Sequence, residues 1–190
     1  NNLGEKALME RWERWHTCGL CEQYYHGVVS CALSWACWKT YVGRPETDWA
    51  RAGAMNVLGN GLAAANHHEE ELSVGEAELS MLRRIGASEG DLLVTQINLA
   101  ITYGDLGHLE KALSMEQEVY SGRLKLHGEG HNDTLLAANN YANSLVDLKR
   151  FEEAKSLLRT VLPVARRVLS ESNEITLKMR WIYAKAHYKD

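Results

Sequence analysis

Residues 98–112 read NLAITYGDLGHLEKA, and residues 140–154 read NYANSLVDLKRFEEA. The second stretch begins 42 residues after the first, and both stretches keep a small residue, a hydrophobic position and a closing Ala with a Glu two positions before it. A weaker copy occupies residues 57–71, and the phrase WIYA at residues 181–184 returns another 42 residues on. Self-similarity at a fixed period of this length predicts a repeat architecture.

Each repeat is predicted to form two helices. Apolar side chains at Leu135, Ala138 and Leu145 recur at helical spacing, and a second apolar series starts at Phe151. We expect recurring small residues to let the two antiparallel helices of a pair approach closely: Gly59, Ala100, Ala142 and Ala184, with Ala112 and Ala154 in the second helices. Because one helix pair cannot bury both of its faces, successive pairs must stack.

This pattern resembles the tetratricopeptide repeat. The 42-residue period, with HNDTL at residues 131–135 and RRVL at residues 166–169, is similar to the longer repeats of kinesin light chains. The resemblance implies an all-α fold, a right-handed α-solenoid of antiparallel helix pairs in a tetratricopeptide-like superhelix. The implied repeats are residues 48–90, 91–132, 133–174 and a partial copy at 175–190, after a Trp- and Cys-rich helical lead-in at 1–47 that could be a diverged repeat.

Three positions depart from the family's pattern. Asn132 stands where Pro is usual, and Glu71 replaces a small residue of a second helix. Pro163 falls inside another second helix, where we expect a kink.

The resemblance also implies a peptide or protein partner, because the first helices of successive repeats line a concave groove in this family. Carried over by position, the groove residues are Asn56, Asn60, Ile97, Ile101, Asn139, Asn143, Trp181 and Lys185. Asn side chains can hold a peptide backbone through both donors and an acceptor. Ile97, Ile101 and Trp181 would supply apolar contacts, and Lys178, Lys185 and Lys189 would attract acidic residues. Alternatively, the asparagines bond to their own helix or to the next one.

The lead-in is predicted to contain a short helix over residues 5–16 and a longer one over 22–41. The apolar series of the longer helix is Tyr25, Val28, Val29, Ala32, Trp35 and Ala36. Five tryptophans crowd this region, Trp12, Trp15, Trp35, Trp38 and Trp49, and we expect them to form its core.

Cys18 and Cys21 have the CxxC spacing of half a zinc site. Two more ligands are needed, and Cys31 and Cys37 point about 120° apart on a helix, so they do not chelate together. His16 or His26 could replace one of them. The other interpretations are a thioredoxin-like redox pair, which lacks its βαβ context, and reduced thiols in a tight turn with the other two cysteines as small core residues.

No other motif predicts catalysis, so we expect no enzymatic activity and no cofactor. Residues 67–71 read HHEEE, which has a metal-binding composition but is interpreted as a solvated turn between two helices. His127 and His131 are assigned to loops between repeats.

Charge and hydropathy exclude two classes of partner. Lys and Arg total 21 against 25 Asp and Glu, a net charge of -4, whereas nucleic-acid binding needs a concentrated basic surface. No apolar run approaches the ~18 residues of a membrane span, so no membrane insertion is expected. The expected location is intracellular, in the cytoplasm, where thiols stay reduced.

Three functional hypotheses follow. The preferred one is a non-catalytic protein–protein interaction scaffold whose concave groove binds a peptide or partner segment. The second is a zinc-binding module built on Cys18 and Cys21 with the repeats as its support. The third is a structural subunit of a larger assembly, since residues 175–190 hold only a first helix; the chain is then expected to be a section of a longer array.

Overall fold

The structure, a computed structural model, describes residues 12–188. Within them the chain forms eight long α-helices. These are α1 (Gly27–Tyr41), α2 (Trp49–Ala64), α3 (His68–Arg84), α4 (Glu89–Asp105), α5 (Leu109–His127), α6 (Asn132–Asp147), α7 (Phe151–Leu169) and α8 (Glu174–Tyr188). The β structure of the described residues is one isolated bridge between Thr17 and Tyr24. The predicted all-α class is therefore confirmed.

The helices form two compact units, which divide between Ala87 and Ser88. In the first unit, α2 packs against both α1 and α3. In the second unit, α5 lies against α4 and α6, and α8 lies against α6 and α7.

A three-residue turn with the same backbone joins α2 to α3, α4 to α5 and α6 to α7. Its middle residue is left-handed in each case, with φ of 59° at Asn66, 78° at Gly107 and 61° at Lys149. The next N–H donates to a carbonyl five residues back, as His67 does to Leu62 at 2.9 Å. This is the Schellman cap, which satisfies carbonyls at the end of a helix. The turn therefore recurs with the period seen in the sequence.

Side chains cap the helices that begin each pair. The capping residues, each accepting a hydrogen bond from a backbone N–H of the first turn, are Asp48, Ser88, His131 and Asn173. Such a cap satisfies one of the N–H groups that the helix itself leaves without a partner. The starts of α2, α4, α6 and α8 are thus fixed by local sequence.

The helix predicted over residues 22–41 starts later, at Gly27, and its apolar series faces outward. Val28 is 80% exposed and Trp35 is 42% exposed, whereas Ser34 and Cys37 are buried. The reason lies in α2, whose Gly61 approaches α1 so closely that only a short side chain such as Ser34 fits there. Most of the predicted 5–16 helix, residues 5–11, lies outside the described residues.

The tryptophan core expected in the lead-in is only partly present. Trp12, Trp15 and Trp38 pack against a buried cluster that includes Cys37. The Trp12 ring also lies 5.3 Å from the ring of Trp49. The expectation is wrong for Trp35 and Trp49, which are both exposed because they project from the outer sides of their helices.

The interpretation of the HHEEE segment as a solvated turn is wrong. The turn ends at His67, and His68 already begins α3. Glu71 is buried, and its Oε2 atom lies 3.1 Å from Nδ1 of His68. A carboxylate can therefore occupy the place of the family's small residue because a neighbouring imidazole faces it.

Pro163 lies within α7, which continues through it from Phe151 to Leu169. The proline itself is exposed while Leu162 beside it is buried. The ring thus sits on the solvent side of the helix, away from the packed face.

Four of the small residues predicted at helix contacts are buried, but the first and the last residue of the series are not. Ala100, Ala112, Ala142 and Ala154 are all almost inaccessible. By contrast, Ala184 is exposed, and a Cβ added at Gly59 would meet no atom within 4 Å. The close approach in the first unit occurs at Gly61 instead, so the prediction for Gly59 is wrong, whereas that for Ala184 concerns a contact with a second helix that the given sequence does not include.

Substitution of Gly59 and Gly61 by Ala tests the assignment of the close helix contact to Gly61. A Cβ at Gly61 would lie 2.5 Å from Cβ of Ser34, whose hydroxyl is held by the carbonyl of Cys31. We expect Gly61→Ala to lower the free energy of unfolding by about 1–3 kcal/mol through overpacking. Gly59→Ala should raise it by roughly 0.5–1 kcal/mol, because Ala favours a helix interior. Urea unfolding measures both, and equal effects of the two variants would contradict the assignment.

Candidate peptide-binding groove

An open groove of about 570 Å³ lies in the second unit. Its walls come from α4, α6 and α8, and α5 contributes to its lining through Leu109, Ala112 and Glu116. Ala100 and Ala112 line it with methyl groups, which leave the space that longer side chains would fill. The groove therefore depends on the same small residues that let the helices pack.

Four of the predicted groove residues line this one space. They are Ile101 from α4, Asn139 and Asn143 from α6, and Trp181 from α8. Lys178, which was expected to attract acidic residues, also lines the groove. Trp181 is 61% exposed and Ile101 is 49% exposed. The groove thus presents two large apolar side chains to solvent, one from α4 and one from α8.

The other predicted residues have different surroundings. Ile97 packs with Leu93 and Val119 in a buried cluster. Nζ of Lys185 lies 3.1 Å from Oδ1 of Asp147 and 5.2 Å from the centroid of the Trp181 ring. Lys185 therefore orients two lining residues without itself lining the groove.

Asn56 and Asn60 belong to α2 of the first unit, where Nδ2 of Asn60 donates to Oδ1 of Asn56 at 3.1 Å. They are not among the residues that line the groove of the second unit. Lys189 lies outside the described residues.

The asparagines of α6 are bonded within their own helix. Nδ2 of Asn143 donates to Oδ2 of Asp147 at 3.0 Å. Nδ2 of Asn139 lies 3.4 Å from Oδ1 of Asn140, while Oδ1 of Asn139 is buried with no hydrogen-bond partner. The Asn139 oxygen is thus an acceptor in the groove lining to which no group of the described chain donates.

Three acidic residues of the groove were not predicted from the sequence: Asp105, Glu116 and Asp147. Burial raises the pKa of the Glu116 carboxyl, a hydrogen bond with Ser144 opposes this shift, and the charge of Asp147 raises the pKa further. Oε2 of Glu116 is buried and has no hydrogen-bond partner. The sequence feature that could have predicted Glu116 as a groove residue is its position one helical turn after Ala112, on the same face of α5.

Cys18 and Cys21 form a tight turn next to the bridge of Thr17 and Tyr24. The Cys18 N–H donates to the carbonyl of Gln23 at 2.9 Å, and all four cysteines of the chain are free thiols. Hydrogen bonds from the backbone of Leu20 and then of Cys21 lower the pKa of the Cys18 thiol. Cys37 is fully buried on α1, and burial raises the pKa of its thiol to about 11.

Among residues 12–188, one group of three metal-ligating side chains comes together: His127, His131 and Asp133, whose ligand atoms lie within 4.8 Å of one another. Arg123 is buried beside them, and its Nη1 lies 3.4 Å from both Nε2 of His127 and Oδ2 of Asp133. The guanidinium thus already supplies a positive charge to this group. His127 is the last residue of α5 and not part of the loop between repeats to which it was assigned, whereas His131 lies in that loop and caps α6.

Comparison with known proteins identifies the repeat. The family model of the tetratricopeptide repeat matches residues 91–167, which span most of α4 to α7. No curated protein matches the chain. None of the described helices is both long and apolar enough to cross a membrane.

Several solved structures share the fold. A kinesin light chain of Podosopora anserina with nearly identical TPR-like repeats has a TM-score of 0.70 at 20% identity, over 84% of this chain and 74% of that chain. BtubC (BKLC) from P. vanneervenii has a TM-score of 0.71 at 16% identity, over 85% and 65%. The apo form of RapI has a TM-score of 0.63 at 12% identity, over 84% and 62%. The predicted resemblance to tetratricopeptide repeats is confirmed, and the resemblance to kinesin light chains is confirmed at the level of the fold.

The two cysteine environments predict different reactivities. At pH 8 we expect iodoacetamide to alkylate Cys18 at least roughly 100-fold faster than Cys37, because the thiolate is the nucleophile and Cys37 is both protonated and buried. Mass spectrometry of chymotryptic peptides over time separates the two sites. The difference should disappear in urea, and equal rates in the native protein would contradict the described packing of α1.

Proposed function

We propose that the chain is a non-catalytic protein-interaction scaffold and that the groove of its second unit binds an extended segment of a partner protein. The observation that carries this proposal is the convergence of α4, α6 and α8 on one open space, whose lining includes four of the groove residues implied by the family resemblance. Repeat proteins use such extended surfaces for binding.

Apolar contacts are expected to supply most of the affinity. An exposed Trp beside a groove is typical of a residue that dominates a protein interface, because it buries a large area on binding. Trp181 is held in place by Lys185 above its ring, so little of its motion has to be lost when the partner binds. Ile101 supplies the second apolar contact, from α4.

Polar contacts are expected to orient the partner's backbone. Ser144 and Asn143 line the groove between the apolar residues. Each carries groups that can donate and accept, as a peptide backbone requires. Ile97 is assigned to the core of the second unit in this proposal, and Asn56 and Asn60 remain candidates for contacts made by the first unit.

A zinc-binding function is the second candidate, and the turn at Cys18 favours it. Backbone N–H groups that bond to a cysteine sulfur stabilise its thiolate, which is the form that binds zinc. Metal analysis of the purified chain tests it: about one equivalent of zinc, lost in the Cys18→Ser variant, would support a metal site. Less than about a tenth of an equivalent after loading with zinc would remove this candidate.

Selection from a random peptide library on the whole chain tests the scaffold proposal. We expect Trp181→Ala to weaken the selected peptides by at least about tenfold without lowering the melting temperature, since the side chain is largely exposed. Trp35→Ala is the matched control, because it removes an exposed Trp from the first unit. Equal affinity of the selected peptides for the Trp181→Ala variant would overturn the proposal.

A smaller effect is expected at the asparagines. Asn143→Ala should weaken the same peptides by a few-fold, because Asn143 lines the groove while remaining bonded to Asp147. Asn60→Ala provides the comparison in the first unit. Loss of helicity in circular dichroism would instead assign Asn143 to a structural role.

A further inference from the structure

The groove of the second unit contains two buried acceptor oxygens that receive no hydrogen bond. One is Oδ1 of Asn139, a residue that is 8% exposed, and the other is Oε2 of Glu116. Both residues line the same open space. Buried polar atoms in native proteins usually have a partner, so two such oxygens in one groove indicate a donor that arrives from outside.

The charge of the groove indicates which kind of donor this is. Asp105 and Asp147 also line it, so three carboxylates contribute to one space. Burial and then the negative charge of Asp147 raise the pKa of Glu116 although a hydrogen bond with Ser144 opposes them, which means that the ionised carboxylate is incompletely compensated in the free chain. A positive charge brought near Glu116 would relieve both unfavourable contributions.

The two described lysines at the groove already have acidic partners, Lys178 outside the lining and Lys185 at the lining residue Asp147. Nζ of Lys178 lies 2.7 Å from Oε1 of Glu174, and Nζ of Lys185 lies 3.1 Å from Asp147. Because both lysines already have acidic partners within the chain, the structure gives little support to the expectation that they attract an acidic segment. Neither lysine has a described hydrogen bond or ion pair with Glu116.

A side chain fits the groove better than a metal ion. The groove carboxylates do not form a metal-ligating cluster, since the group found among the described residues is His127, His131 and Asp133. Trp181 and Ile101 offer apolar surface beside the acidic residues. A Lys or Arg has the matching form, an apolar stem with a charged head that carries only donors.

We infer that the groove receives a Lys or Arg side chain of the partner segment, whose head donates to Glu116 and Asn139 while its stem packs against Trp181. The inference rests on the proposed function, because it names the partner chemistry that the same groove selects. It reverses the polarity expected from the sequence, in which the groove lysines would attract an acidic segment.

Peptide pools with a fixed central residue test the inference on the whole chain. The pools carry Lys, Arg, norleucine or Glu at the centre and the same randomised flanks, and their affinities are measured by fluorescence polarisation. We expect the Lys and Arg pools to bind at least about tenfold tighter than the norleucine and Glu pools. In the Glu116→Gln variant the preference should fall below about threefold, because Gln retains the shape but not the charge.

Glu118→Gln is the matched control, since it makes the same charge change on α5 at an exposed residue that bonds to Gln96 instead of lining the groove. It should keep the full preference. Thermal melting shows that Glu116→Gln is folded, and we expect its stability to equal or exceed that of the parent, because a buried charge has been removed.

The outcomes separate this inference from the proposed function. Binding that depends on Trp181 but shows no preference for Lys or Arg overturns the inference and leaves the scaffold proposal standing. A preference for the Glu pool also overturns the inference, because it would indicate that the groove lysines attract an acidic segment. If no pool binds and Trp181→Ala changes nothing, the scaffold proposal and the inference fall together.

Discussion

The close approach of neighbouring helices at alanine and glycine positions is the constraint on which the rest of the structure depends. Ala142 and Ala154 are completely buried in the core of the second unit. In the first unit, Gly61 meets Ser34 where a larger residue would collide with it. Because helices separated by methyl groups or hydrogens pack at short range, their larger side chains are directed to the flanks, where they form core clusters on one side and the groove lining on the other.

The turns make this packing possible, because a three-residue connection forces each pair of helices to lie side by side. Such a turn needs one left-handed residue, which Gly107 adopts at little cost and which Asn66 and Lys149 adopt less easily. The Schellman hydrogen bonds compensate by satisfying the helix carbonyls. The recurrence of this geometry explains why the sequence period survives where individual residues differ, as at Glu71.

Some residues of the groove could be predicted from the sequence, and others could not. Ile101, Asn143 and Trp181 were implied by the family resemblance, which carries groove positions over to the equivalent residues of successive repeats. Glu116 could not be predicted, because it belongs to a second helix and its importance depends on the neighbouring Ser144 and Asp147 of α6. Ile97 shows the converse, since its position fits the pattern but its side chain packs, partly buried, against the cluster of Leu93 and Val119.

The sequence by itself determined the helix pairs, their period and the family that they resemble, because apolar spacing, small residues and capping residues act locally and repeat. It did not determine which face of α1 is buried, since the apolar residues Val28 and Trp35 made the wrong face look like the core. Only the tertiary structure decided that, through the fit of Ser34 against Gly61. It also decided the electrostatics of the groove, because burial and proximity between helices, and not residue type, leave Oε2 of Glu116 and Oδ1 of Asn139 without donors.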